Sequence, residues 1–293
     1  MQHVIEFTKA SGAGNDFVLI DNMDDRLQLD KVTLAHVLCS RRFGIGADGL
    51  LLLEPSVKAD FFMRYHNADG SYGGMCGNGG RCVARYAYIH GIARSPMTFV
   101  ALDHVYQAVM IGNDVKLRMK NPIDYRASID ISLKDKVFSG SFINTGSPHV
   151  VIFQERMEDF DVEGIGKEIR HNALFLPDGT NVNVVRPLSS GAIEIRTYER
   201  GVECETLACG TGAVASAIVS AYEKQLSSPV HVKVRSGEEL LVHFEMNKGN
   251  AREVHLQGSA HFLFSGRLVY DSEMNSLVAD ESRASIRLSG ASP

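Results

Sequence analysis

The sequence predicts an α+β fold of two similar halves, in each of which a curled, mostly antiparallel sheet surrounds one buried helix. Most of the 293 residues read as short strands punctuated by turns rich in Gly, Asn, Asp and Ser. Two helical stretches, 81–89 and 213–222, are apolar on most sides, which is typical of buried helices. Each follows a Cys-Gly-x-Gly tetrad, at 76–79 and 209–212. The tetrads stand about half a chain length apart, which indicates an internal duplication.

The predicted strands follow one another in short apolar runs. They fall at 16–20, 60–65, 107–111 and 115–119 in the first half, and at 183–185, 192–196, 230–234 and 240–244 in the second. The turn Gly112-Asn113-Asp114 predicts a hairpin between its two flanking strands. A second hairpin is predicted across residues 235–238.

Helices and boundaries complete the prediction. Residues 30–39 and 162–171 indicate short surface helices, and the helix at 81–89 is expected to stop at Gly91, a residue suited to the C′ position. Asn121-Pro122 marks the junction between a first half at 1–120 and a second at 121–262, because Pro restricts its predecessor and breaks strands. A strand near 263–273 is expected to pack back on the first half, and 274–293 form a polar tail.

Composition excludes several classes of protein. A net charge of −5 without a long basic run argues against nucleic acid as the main partner. The apolar stretches are far shorter than the roughly 20 residues that span a bilayer, and the N-terminus lacks the features of a signal peptide. We therefore expect a cytoplasmic protein without a membrane partner, whose five cysteines stay reduced.

The tetrads carry the chemistry. A cysteine at a helix N-terminus has its thiolate favoured by free backbone N–H groups and by the helix dipole, and the same helix end attracts a carboxylate. Two such thiols facing one acidic substrate would suit moving a proton from one face of a carbon to the other. The alternative is a pair of structural cysteines before Gly-rich turns. The spacing of Cys76, Cys82 and Cys209 does not match a zinc site, and no nucleotide loop has its full motif, so we expect neither metal nor cofactor.

Other polar residues give weaker signals. Arg200 is a natural partner for a substrate carboxylate, or it forms an ion pair at a strand end. Asn15, Asn67 and Asn181 sit beside glycines, a setting typical of turns, and His149 is by itself more typical of a structural histidine.

Taken in order, eight segments of the chain resemble the diaminopimelate epimerase family. They are Gly-Ala-Gly-Asn-Asp-Phe at 12–17, Arg-Phe-Gly-Ile-Gly-Ala-Asp-Gly at 42–49, Asn-Ala-Asp-Gly-Ser at 67–71, Cys-Gly-Asn-Gly-Gly-Arg-Cys at 76–82, Thr-Gly-Ser-Pro-His at 145–149, Asn181, Tyr-Glu-Arg-Gly at 198–201 and Ala-Cys-Gly-Thr-Gly at 208–212. The resemblance implies a cofactor-independent isomerase of two similar domains, each a strand barrel around a central helix. Its substrate would be the diamino dicarboxylate LL-2,6-diaminoheptanedioate, converted to the meso form for lysine and cell-wall synthesis. A homodimer is a further expectation.

The resemblance also implies roles for individual residues. Cys76 and Cys209 match the catalytic acid/base pair, and His149 and Glu199 match polar groups near them. The residues that match substrate-binding positions are Asn15, Asn67, Gly77, Asn78, Asn181, Glu199, Arg200, Gly210 and Thr211. The chain departs from the family pattern at Ser147, where many members have Asn, at Ser11, where many have His, and in a longer loop at 201–205 that carries Cys204.

Two other functions stay open from the residues alone. One is another cofactor-independent amino-acid racemase of the same architecture, such as a proline-racemase-like enzyme. The other is a thiol redox protein in which Cys76 and Cys209 pair reversibly.

Overall fold

The structure, a computed structural model, describes residues 1–134, 136–189 and 191–278. Its helices are α1 (Lys31–Cys39), α2 (Gly77–Ile89), α3 (Val162–Arg170) and α4 (Gly210–Lys224), with short 3-10 turns at Met157–Asp159 and Ala173–Phe175. The strands up to the midpoint are β1 (Gln2–Gly12), β2 (Asn15–Asp21), β3 (Gly49–Glu54), β4 (Phe61–Asn67), β5 (Met97–Ala101), β6 (His104–Ile111) and β7 (Asp114–Arg118). Those that follow are β8 (Ile123–Ser132), β9 (Val137–Asn144), β10 (Pro148–Phe153), β11 (Asn181–Ser189), β12 (Ala192–Glu199), β13 (Cys204–Thr206), β14 (Val230–Lys233), β15 (Glu239–Asn247), β16 (Asn250–Ser259), β17 (His261–Asp271) and β18 (Ser276–Val278).

The four predicted helices are confirmed, and their ends have local causes. The Asp30 carboxylate caps α1 by accepting from the Thr33 N–H at 3.0 Å, and Asp161 caps α3 through the Gly164 N–H at 2.9 Å. The prediction that α2 stops at Gly91 is confirmed, since Gly91 has a φ of 70° just beyond the helix. Helices α2 and α4 begin four and three residues before the predicted apolar stretches, directly after the two cysteines.

The first half is a sheet that closes on itself. Its strands run in the order β1 to β7, and the consecutive strands β16 and β17 complete the circuit, because β16 pairs with β7 and β17 pairs with β1. Helix α2 runs through the middle and packs against β1, β2, β3, β4, β6, β7 and β16. A charged or polar helix could not lie there without many partners, which accounts for the apolar character of most of its faces.

The second half repeats this plan around α4. Its strands pair in the order β8, β9, β10, β11, β12, β14, β15 and β16, and β13 pairs with the end of β12. Helix α4 packs against β9, β10, β11, β12, β14, β15 and β16. Strand β16 therefore belongs to the sheets of both halves.

The parallel strand pairs display the duplication. Parallel strands need a crossover connection, usually a helix. Outer helix α1 joins the parallel pair β2 and β3, and α3 joins β10 and β11. The central helices do the same, α2 between β4 and β5 and α4 between β12 and β14. The predicted α+β fold of two similar halves is confirmed.

Three hydrophobic clusters of described residues hold the sheets and helices together. The largest contains the inner residues of α2 and α4 and is continuous between the halves. A second buries α3 against the outer face of its sheet, and a third does the same for α1. The central helices are therefore fixed relative to each other by the main core.

The C-terminal region continues the sheet. Strand β17 pairs with β1 from Gln2 to Ser11, and β18 pairs with the end of β17. Of the predicted tail, residues 279–293 lie outside the described residues. None of the helices described has both the length and the apolar character needed to cross a membrane.

Candidate active site

The N-termini of α2 and α4 meet where the two halves join. A Cβ atom placed on Gly210 would lie 3.7 Å from the Cα of Gly77, and one placed on Gly77 would lie 3.9 Å from the Cα of Gly210. Both positions contact Leu256 of the shared strand β16. Two sets of free helix N–H groups thus converge, and two positive dipole ends add their potentials there. Such a site suits an anion.

Cys76 is the N-cap of α2. Its sulfur accepts a hydrogen bond from the Gly79 N–H at 3.5 Å. Burial raises the pKa of the Cys76 thiol and ionised Glu199 raises it further, while the N–H groups of Gly79 and Asn78 oppose that rise. The thiolate of Cys76 is therefore disfavoured while Glu199 is charged.

Cys209 is the N-cap of α4 and is buried. Its sulfur lies 3.5 Å from the Thr211 hydroxyl oxygen. Burial is the largest cause that raises the pKa of the Cys209 thiol. The charge on Glu199 raises this pKa further, and so does a thiolate at Cys76. Because each sulfur disfavours charge on the other, the pair favours a state with at most one thiolate.

Glu199 ends β12 beside Cys209. Its carboxylate accepts hydrogen bonds from the Thr206 hydroxyl at 2.9 Å and from the Cys209 thiol. Burial raises the pKa of Glu199, and these two hydrogen bonds oppose the rise. A carboxylate with a raised pKa in contact with a thiol can take up the proton that the thiol releases.

His149 is fully buried and held on both ring nitrogens. The Asn183 amide donates to Nδ1 at 3.1 Å, and Nε2 lies 3.0 Å from the Thr211 hydroxyl oxygen. The Asn183 oxygen accepts from Thr197 at 3.0 Å, which orients the amide and assigns the ring proton to Nε2. Burial lowers the pKa of His149 to about 3. His149 is therefore a neutral donor to Thr211, whose hydroxyl neighbours Cys209.

The pKa of His149 predicts acid destabilisation. The unfolded chain binds a proton at a pKa of 6.5, whereas the folded protein resists it down to about 3, so stability falls as pH drops through that window. Lowering the pH from about 7 to about 5 should cost about 2 kcal/mol through this group. In His149→Gln this part of the pH dependence of the free energy of unfolding should vanish, as measured by urea unfolding at both pH values. The control is His261→Gln, at an exposed position of β17; an equal slope change in both variants would contradict the assignment.

A second polar cluster joins Ser147, Asn181 and Arg200. The Asn181 amide donates to the Ser147 hydroxyl at 2.9 Å, and its oxygen accepts from the Arg200 N–H at 2.8 Å. The Arg200 guanidinium donates to the Ser147 hydroxyl at 3.4 Å and to the Asp178 carbonyl at 3.2 Å. No carboxylate of residues 1–134, 136–189 or 191–278 forms an ion pair with Arg200. Its charge is therefore available to an anionic ligand.

Two predicted asparagines lie at turns of the first half. Asn15 begins β2 after a turn at Ala13 and Gly14, whose φ angles are 56° and 89°. The Asn15 Oδ1 is buried and has no hydrogen-bond partner among the described residues. Asn67 ends β4, where its amide donates to the Ser71 hydroxyl at 2.9 Å. This contact holds Asn67 within its own turn, and no described hydrogen bond joins it to Cys76 or Cys209.

Two buried polar residues of this region were not predicted from the sequence. Asn183 stands two positions after Asn181, so the alternation of strand side chains puts both on the same face of β11. Arg81 is a charged residue inside a helix read as buried, which is itself unusual. Either signal could have been found in the sequence.

A surface cavity of about 500 Å3 has walls that the two cysteines do not form. It is lined by Thr98, His104, Val105, Tyr106, Gln107, Arg118, Met119, Lys120 and Asn121. In the described ranges, no three His, Cys, Asp or Glu side chains gather in a way that could hold a metal ion.

Comparison with known sequences identifies close relatives. The family model described as diaminopimelate epimerase matches residues 7–115 and 141–263. The chain is 45% identical over 262 residues to the diaminopimelate epimerase of Chlorobaculum tepidum, which covers 88% of this chain and 99% of the relative. It is 42% identical over 276 residues to that of Aquifex aeolicus, covering 90% and 98%.

Solved structures of more distant proteins share the fold. A Bacillus anthracis phenazine biosynthesis protein of the PhzF family superposes with a TM-score of 0.69 at 14% identity, over 90% of this chain and 99% of that one. A hydroxyproline epimerase from Agrobacterium vitis gives 0.68 at 13% identity, over 93% and 94%. At these identities the similarity extends to architecture alone.

Proposed function

The chain belongs to the diaminopimelate epimerase family, and from that premise we propose that Cys76 and Cys209 invert one α-carbon of the substrate by two-base proton transfer. Members of this family are isomerases of lysine biosynthesis that epimerise diaminopimelate without a cofactor. The observation that carries the proposal is the meeting of two cysteine-capped helix ends beside Glu199.

The chemical difficulty is the weak acidity of a carbon next to a carboxylate. Removal of its proton adds a second negative charge to the carboxylate. Free N–H groups at the first turns of α2 and α4, which include Gly77, Asn78, Gly210 and Thr211, would receive that charge in a site poor in water. One well-placed donor can contribute about 2.7–4 kcal/mol to a transition state.

Inversion requires groups on opposite faces of the carbon. A thiolate removes the proton from one face, and a thiol delivers another proton to the opposite face. The mutual effect of the two sulfurs supports this division, because charge on one raises the pKa of the other. After each turnover the protonation states of Cys76 and Cys209 are exchanged, so the reverse direction uses the same machinery.

Glu199 and His149 would support Cys209 both as a thiol and as a thiolate. The Glu199 carboxylate accepts from the thiol and can hold its proton. When Cys209 is a thiolate, the Thr211 hydroxyl donates to it, since His149 already donates to the oxygen of Thr211. These contacts support Glu199 as the proton acceptor and His149 as a positioning residue.

The far end of the substrate would bind the second polar cluster. Arg200 offers an unpaired guanidinium for the distal carboxylate, and Asn181 and Ser147 hold it in place. The Ser147 hydroxyl accepts hydrogen bonds from Asn181 and Arg200. It therefore connects these two residues although its side chain is shorter than the Asn that many family members have there. Asn15, whose buried Oδ1 has no hydrogen-bond partner among the described residues, would complete the pocket from the first half, and for Asn67 the support is the family resemblance alone. These contacts favour a long substrate with a second anionic end over proline.

Chiral product analysis in D2O tests this function. Purified protein in reductant, without cofactor, should convert LL-diaminopimelate to the meso form with one solvent deuteron at the inverted α-carbon. Proline under the same conditions should remain unchanged. Product free of solvent deuterium would rule out proton abstraction, and racemisation of proline at a comparable rate would favour the proline-racemase-like alternative. Absence of any epimerisation in reductant would leave the thiol redox alternative.

The cellular compartment, pathway and partners of the enzyme are also predictions. All five cysteines are free in the structure, which supports a reducing compartment such as the cytoplasm. A role in peptidoglycan precursor synthesis, a homodimer and the lack of a nucleic-acid partner are likewise proposed.

A further inference from the structure

Arg81 is a fully buried charge with no counter-ion among the described residues. It lies one turn into α2 with 0% of its surface exposed. In the described ranges its guanidinium donates to three uncharged acceptors, namely the Ser259 carbonyl, the Gly77 carbonyl and the Asn78 side-chain oxygen. Within the part of the chain that the structure describes, no carboxylate pairs with it. Burial of an unpaired charge is costly, so its presence calls for a compensating anion or a positioning role.

The contacts of Arg81 lead to the helix junction. Its Nη2 donates to the Asn78 oxygen at 3.1 Å, and the Asn78 amide donates across the junction to the Ala208 carbonyl at 3.2 Å. Ala208 immediately precedes Cys209, so this bridge ties the first turn of α2 to the residue before the second cysteine. The Ala208 carbonyl, which accepts from the amide nitrogen, and the Arg81 guanidinium, which donates to the amide oxygen, together hold Asn78 in one orientation.

Glycines lie on both sides of this bridge. A Cβ placed on Gly258 of β16 would make ordinary contact with Arg81, at 3.4 Å from Nε and 3.6 Å from Cζ, so the guanidinium packs against that strand. A Cβ placed on Gly210 would lie 3.7 Å from the Asn78 oxygen that Arg81 holds. The guanidinium therefore sits directly behind the place where the two helix ends meet.

We propose that Arg81 is a positioning residue of the epimerisation, which fixes Asn78 across the two halves and whose buried charge stabilises the doubly charged transition state. The inference rests on the proposed function, since it places the reacting carboxylate at the helix junction. A bound carboxylate has one negative charge and gains a second only when the α-proton leaves. A cation that stays fixed in a medium of low polarity stabilises the second charge without reorganising.

The effect should therefore fall on turnover more than on binding. The positive charge of Arg81 also lowers the pKa of Cys76, against the larger effect of burial, so it favours the thiolate. Loss of the charge should move the onset of Cys76 alkylation by iodoacetamide to higher pH. A residue with only a structural role would not shift that onset in a protein that remains folded.

Two substitutions separate charge from geometry. Arg81→Gln keeps a donor for Asn78 but is neutral, and we expect kcat for LL-diaminopimelate to fall about 100-fold with KM changed less than about threefold. Arg81→Lys keeps the charge but loses the planar fork, and it should retain about ten times the kcat of Arg81→Gln. Alkylation of Cys76 should begin at higher pH in Arg81→Gln than in Arg81→Lys. The matched control is Arg85→Gln, one turn further along α2, where the guanidinium donates to the Asn113 carbonyl instead of the junction.

Several results would overturn the role of Arg81. They are kcat within about threefold of the parent in folded Arg81→Gln, equal losses in Arg81→Gln and Arg85→Gln, or a loss confined to KM. Recovery of both Arg81 variants only as unfolded protein would assign Arg81 to the fold and also count against the proposal. The cysteine assignment is tested separately by alanine variants of Cys76 and Cys209, so either idea can fail without the other.

Discussion

Replacing Cys76 or Cys209 by alanine is expected to lower epimerisation of LL-diaminopimelate by about 10³–10⁴-fold, because each variant lacks one of the two proton-transfer groups. Alanine keeps the backbone N–H groups of α2 and α4, so carboxylate binding should largely survive. The measurement is the initial rate of meso-diaminopimelate formation, with circular dichroism melting to verify the fold.

Cys82 provides a matched control for this experiment. It lies on the same helix as Cys76, is fully buried, and burial raises the pKa of its thiol to about 12. Cys82→Ala removes a structural thiol from the core and should keep turnover within about threefold of the parent. Near-parental epimerisation by Cys76→Ala or Cys209→Ala would refute the two-base assignment, as would an equal loss in Cys82→Ala.

Replacing Glu199 by glutamine should produce opposite changes in two measurements. We expect turnover to fall about 100-fold, because the neutral amide cannot accept the proton of Cys209. Thiol alkylation of Cys76 and Cys209 should meanwhile begin at lower pH, since the charge on Glu199 raises the pKa of both thiols in the parent. Iodoacetamide labelling across a pH series, followed by peptide mass analysis, measures the second effect.

The control for Glu199 is Glu203→Gln. Glu203 lies in the same loop region, but its carboxylate accepts from Arg170 and from the Gly201 N–H. That variant should leave both turnover and the labelling profile within about threefold of the parent. If Glu199→Gln lost activity while its thiols became harder to label, the proposed electrostatic effect of Glu199 would be wrong.

Much of the fold could be predicted from local sequence patterns. The apolar stretch 213–222 indicated a central helix, because only burial on all sides is compatible with that composition. Gly91 marked the end of α2, since a positive φ suits glycine. The sequence indicates a strand near 263–273 that packs on the first half, but the pairing of β16 with β7 could not be predicted in this way, because strand pairing over more than 130 residues leaves no local pattern.

The candidate site, like the fold, could be predicted only in part from local sequence patterns. The tetrads that begin at Cys76 and Cys209 could be recognised as helix N-termini from their residue types alone. The bridge from Arg81 through Asn78 to Ala208 crosses between distant parts of the chain. A hydrogen bond of that kind depends on where two halves dock, which neither segment encodes by itself.

The order of residues by itself determined two thiols at the starts of two buried helices, since helix capping and apolar periodicity act over a few neighbouring positions. Only the tertiary structure decided that those helix starts meet at Gly77 and Gly210, with Glu199 beside Cys209 and Arg81 behind Asn78. The physical reason is that the pKa of a thiol and the potential at a helix junction depend on burial and distances through space, which the docking of the halves on strand β16 sets.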